Sequence, residues 1–102
     1  MSDVMAGILE RIFNIAIEAA GDIDYAASNP AIKPERADRL KALANKIRST
    51  VEKARKGDYK AIRSLCLLFG LEELLNEFDR EVEKEKAKRQ RAVHDRDDYP
   101  SM

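Results

Sequence analysis

The sequence predicts an all-α protein, a small four-helix bundle whose last helix extends beyond the core as a charged stem. Apolar residues recur at alternating three- and four-residue spacing over most of the chain, the repeat of one helix face. Gly and Pro are few, four and three, and most stand where that repeat lapses. Charged residues make up 37% of 102 residues and Trp is absent, a balance that suits solvated helices around a modest core better than a sandwich or barrel. A chain of this length forms one domain, expected over residues 1–93 with a flexible polar tail over 94–102.

The first helix begins near Asp3 and carries Met5, Ile8, Ile12, Ile15 and Ala19 on one line, with Leu9, Phe13, Ala16 and Ala20 widening it. Its apolar arc spans roughly 160°, whereas packing on one neighbour uses about 100°. Glu10, Arg11, Asn14 and Glu18 form the narrow polar strip that remains. The helix is therefore central, or it buries a second face against another subunit. The second option makes Met5, Ile8, Ile12, Phe13 and Ile15 the expected self-association surface of a homo-oligomer, a dimer first. Gly21 and Asp22 can end this helix near Ala20, or Ile23, Tyr25, Ala26 and Ala27 can extend it.

Asn29, Pro30 and Pro34 mark a loop, because a residue before Pro is pushed out of helical geometry. A second helix starts with Pro34 at its first position, where the missing N–H costs nothing. Ala37, Leu40, Ala44, Ile47, Val51 and Ala54 form its seam, and Gly57 caps its end. Asp58 caps a third helix with Ile62, Leu65, Cys66 and Phe69 on one face and Leu67 and Leu68 beside them. Gly70 either ends this helix or kinks it into the next. The fourth helix carries Leu74, Leu75, Phe78 and Val82, after which the apolar signal fades. Glu81 with Lys84, Glu83 with Lys86 and Glu85 with Arg89 then support a solvated stem.

The formal net charge of zero conceals a segregation. Residues 1–32 hold one Arg against five carboxylates, residues 33–69 eleven cations against four, and residues 70–102 seven against ten. Most of the basic block lies on the second helix, as two columns at seven-residue spacing: Arg39, Lys46 and Lys53 on one flank, Lys41, Arg48 and Arg55 on the other. Members of a column stand about 10.5 Å apart, and the columns lie about 160° apart around the axis, straddling the seam. Two purposes fit. The stems can cover core while the heads meet water or the acidic helices, or the cations, with Lys56 and Lys60, can contact nucleic-acid phosphates or an acidic partner.

Catalytic signatures are absent. No phosphate-cradling Gly loop follows a strand, which excludes P-loop and Rossmann nucleotide chemistry, and a single His rules out a two-His metal site. His94, Asp95, Asp97 and Asp98 fit a solvated tail better than a metal site, and the Glu73, Glu77, Glu81 and Glu85 column lacks the Glu-x-x-His partners of a di-iron bundle. A helix-turn-helix reading would put Glu72 and Glu73 at the groove entrance, where phosphates repel them. Membrane attachment is not expected, since charges interrupt the first helix. The single Cys66, among apolar neighbours, reads as a core residue of a reducing, cytoplasmic setting. One Gln and four Asn hint at a thermophilic source. These observations lead to a non-enzymatic adaptor or regulator without cofactor or metal that self-associates through apolar helix faces, with sequence-nonspecific nucleic-acid binding as the alternative.

Overall fold

A computed structural model of the chain describes residues 2–98, with side chains through 89. The helices run α1 (Asp3–Ala27), α2 (Pro34–Arg55), α3 (Tyr59–Leu68) and α4 (Glu72–Asp98), the all-α bundle predicted. The backbone of α1 approaches those of α2, α3 and α4, while α2 and α4 are kept apart. Helix α1 is thus the central element, which accounts for most of its wide apolar arc, Ile15 remaining exposed.

The Ser2 hydroxyl caps α1 by accepting the Met5 N–H at 3.1 Å. The helix does not stop at Ala20 but passes through Gly21 to Ala27. Ala16, Ala20, Ile23 and Ala27 continue the stripe at four- and three-residue steps, and Ala20 and Ala27 are buried. One interior glycine costs roughly 1 kcal/mol, less than burial of the continuing stripe returns. Asn29 then turns the chain, its side-chain oxygen accepting the Ala31 N–H at 2.9 Å.

Helix α2 keeps both predicted ends. Pro34 opens it, and Gly57 closes it at φ 95°. The Asp58 N–H reaches back to the Lys53 carbonyl and the Gly57 N–H to that of Ala54, at 3.2 and 3.0 Å, so a left-handed residue satisfies carbonyls that would otherwise lack donors. Asp58 immediately caps α3, accepting the N–H groups of Lys60 at 3.0 Å and Ala61 at 3.4 Å. The same closure recurs at Gly70, where φ is 67° and the Leu71 N–H bonds the Cys66 carbonyl at 2.8 Å. Helices α3 and α4 are therefore separate and not one kinked helix.

Ile12, Leu65 and Cys66 are the largest fully enclosed side chains, and Ala16, Ala20 and Ala44 let α1 and α2 approach closely around them. Phe78 and Leu75 of α4 complete the core from the opposite side. Tyr59 stacks on Phe78 with ring centres 6.0 Å apart, and its hydroxyl donates to Asp79. The 27 residues of α4 span about 40 Å, and the chain measures 76 × 19 × 17 Å, so the stem projects well past the core. Of the three pairs the spacing predicts along it, Lys84 meets Glu81 at 3.3 Å and Lys86 meets Glu83 at 3.9 Å, while Glu85 and Arg89 make no ion pair among the described residues. Residues 94–98, expected in a tail, continue the helical backbone, whereas 99–102 lie outside the described residues. Among the described residues no helix is long and apolar enough to cross a membrane.

Candidate functional site

The two basic columns of α2 meet different surroundings. On one flank Arg48 pairs with Asp24 of α1, and the guanidinium of Arg55 lies over the Phe13 ring, 5.1 Å from its centre. Both cations are engaged with α1. Lys41 is exposed near the other end of the same flank.

On the other flank, α2 and α3 diverge enough to leave a groove of about 440 Å³. Ile47 and Leu65, both buried core residues, form its floor, and Leu43 and Leu68 form its apolar end. Those two leucines are 40% and 57% exposed. Lys46, Lys53 and Lys60 form its rim, with Thr50 and Ser64 between them. The Thr50 hydroxyl is turned back on the helix, donating to the Lys46 carbonyl at 2.8 Å. Asp58 supplies the lining's one carboxylate, already occupied by the α3 cap. None of the three lysines makes an ion pair among the described residues.

The groove runs antiparallel along two helices, so its ends differ. Leu43 and Leu68 lie at the end away from the α2–α3 turn, while Lys53, Lys60 and the amino end of α3 lie beside the turn. The result is a leucine end, with Lys46 one turn in from it, and a basic end about 12–15 Å away, the rise of eight to ten helical residues.

Of the predicted contact residues, the structure gathers Lys46, Lys53 and Lys60 into one site. Arg39, Lys41 and Lys56 are exposed outside its lining, and Arg48 and Arg55 face α1. The expected self-association surface is largely consumed within the chain, because Met5, Ile8, Ile12 and Phe13 are core residues covered by the other helices. Ile15 alone of the five is exposed, at 36%. The sequence reading missed Leu43 and Leu68. Their available signal was surplus: Leu43 stands off the seam set by Leu40, Ala44 and Ile47, and Leu68 off the face set by Ile62, Leu65 and Phe69.

A second cleft, about 460 Å³, lies between α1, the α2–α3 turn and α4. Met5, Leu9, Phe13, Ile62 and Phe78 line it, all buried, and Arg55 and Lys86 stand at its edge. It is mainly a seam in the core, with Tyr59, 39% exposed, at its mouth. Asp79 acts near it: its hydrogen bond raises the Tyr59 hydroxyl above the usual tyrosine pKa, helped by desolvation. Burial pushes the Cys66 thiol up, with the Asp79 charge adding to it, so the thiolate that reacts as a nucleophile is disfavoured. His94, Asp95, Asp97 and Asp98 lie outside the described side chains. Compared with protein-family models, curated proteins and solved structures, the chain matches none.

Proposed function

We propose that this protein is a non-enzymatic interaction module that holds a helix of a partner protein in the α2–α3 groove. The observation that carries the reading is the pair Leu43 and Leu68, half-exposed at one end of an apolar-floored groove between two packed helices. Two exposed leucines that line one concave surface give a partner an apolar contact that scattered single ones do not, and a groove between helices matches the apolar stripe of a third. The groove's polar groups are lysines, hydroxyls and a carboxylate used as a cap, a set that orients a ligand and has no base poised on a nucleophile.

Fluorescence anisotropy with a labelled 18-residue helical peptide, leucines at i, i+3 and i+7 and uncharged elsewhere, tests the reading. Saturable binding that is lost in the Leu43→Ser/Leu68→Ser double variant supports it. Equal binding by that variant would remove the groove from the account.

Nucleic-acid binding is the second reading, favoured by the outward direction of Lys46, Lys53 and Lys60 together with exposed Arg39, Lys41 and Lys56. Phosphate contacts would weaken steeply with salt and would be indifferent to the two leucines. A gel shift with double-stranded DNA and with single-stranded RNA at 50 mM salt decides it, and absence of any shift excludes it.

A further inference from the structure

Building on the groove reading, we infer that the helix it takes is acidic at one end: an apolar stripe over about three turns with carboxylates clustered beside the turn-side lysines. The argument is one of charge and place. Lys46, Lys53 and Lys60 rim the groove, and none is neutralised by a neighbour among the described residues. The one carboxylate of the lining, Asp58, gives its Oδ1 to the Lys60 and Ala61 N–H groups and makes no ion pair with the three lysines among the described residues.

The opposite flank shows what happens to cations when a carboxylate-bearing helix is laid beside them. There α1 lies against α2, and Asp24 takes Arg48. The groove flank has the same cation spacing, with the short α3 covering only part of it. A docked helix with glutamates facing Lys53 and Lys60 and leucines facing Leu43 and Leu68 would reproduce on this side the arrangement α1 makes on the other. The separation of the ends, about 12–15 Å, corresponds to eight to ten residues of partner helix. That sets the pattern: apolar residues at i, i+3 and i+7, and acids within the one turn that reaches the basic end. Complementary rim charges of this kind fix orientation and speed encounter more than they add affinity.

The test uses the full chain and three labelled 18-residue peptides with the same leucine stripe, bearing glutamates, glutamines or lysines at the four positions of one terminal turn. The glutamate peptide should bind at least tenfold more tightly than the lysine peptide at 50 mM salt, with the glutamine peptide between them. Raising salt to 300 mM should compress that range, since the pairs are exposed. In the Lys46→Glu/Lys53→Glu/Lys60→Glu variant, checked by thermal melting to be folded, the order of peptides should reverse. If all three peptides bind alike and Leu68→Ser weakens all alike, the groove stands and its acidic occupant falls. If none binds at 100 µM, both fall. Sedimentation equilibrium of the chain alone gives a further arm: a monomer of 11.6 kDa is expected, and a dimer dispersed by Leu68→Ser would assign the groove to a second copy and overturn the inference.

Discussion

Arg48 of α2 and Asp24 of α1 form an ion pair that joins two helices at positions twenty-four residues apart. It marks the side of the α2 seam that α1 closes, and so which column of cations is left to face outward. Its energy is another matter, since the two side chains are 43% and 40% exposed and water screens them. Arg48→Ala should lower stability by no more than about 1 kcal/mol, as read from urea unfolding, and should leave peptide binding at the groove unchanged. Lys53→Glu should alter binding, and by placing a carboxylate in the last turn of α2 should also lower stability by about 0.3–1 kcal/mol.

The same contrast separates core from surface apolar residues. Ile12 is fully buried, so Ile12→Ala should cost about 2–5 kcal/mol, and Ile12→Glu should prevent folding because it buries an unpaired charge. Leu68→Ser, on an exposed position at the end of α3, should stay within about 0.5 kcal/mol of the parent. Thermal or urea unfolding of the three variants checks this. A large loss at Leu68 would make it a packing residue.

Gly57 and Gly70 hold left-handed backbone at the ends of α2 and α3, with open space where a side chain would stand. Alanine at either should therefore cost about 1–2 kcal/mol through conformation alone, without any clash. Gly21, inside α1, has space too but ordinary helical geometry, and Gly21→Ala should stabilise by roughly 0.5–1 kcal/mol. Equilibrium unfolding of the three single variants should give two losses and one gain.

These glycines also show which parts of the fold were legible in the chain. Local chemistry set the ends of α2, with Pro34 opening it and Gly57 closing it, and the Asp58 cap of α3. Gly21 carried no such information, because whether a helix passes through a glycine depends on what the following stripe can bury, and Ile23 and Ala27 find that burial only once α2 has folded back. The wide arc of α1 was readable, yet its alternatives, a central place or a second subunit, differ only in tertiary structure. The columns on α2 were likewise visible as two, while their unequal fate depends on α1 covering one flank and the ten-residue α3 incompletely covering the other. Leu68 looked like thickened core for the same reason, and Leu43, off the seam, was given no role.

The Tyr59–Asp79 hydrogen bond ties the start of α3 to α4 and gives the protein a pH dependence at its alkaline end. The bond needs the phenol protonated, so the folded-state pKa lies above the ordinary value of 10.0. Its contribution to stability is then fully present below pH 10 and is lost as pH rises through the elevated folded value. Tyr59→Phe should flatten the fall in stability above pH 10 relative to the parent, with no difference in slope between pH 6 and 9. Chemical denaturation at a series of pH values checks the difference, in which the titration of the lysines cancels.

The central claim is that the groove between α2 and α3 is an open docking surface, and methyl NMR addresses it most directly. On titrating the isotope-labelled chain with the glutamate-ended peptide, shifts should be confined to Leu43, Ile47, Leu65 and Leu68. Shifts centred on Met5, Ile8 and Ile12 of α1, or no shifts at peptide excess, would contradict it.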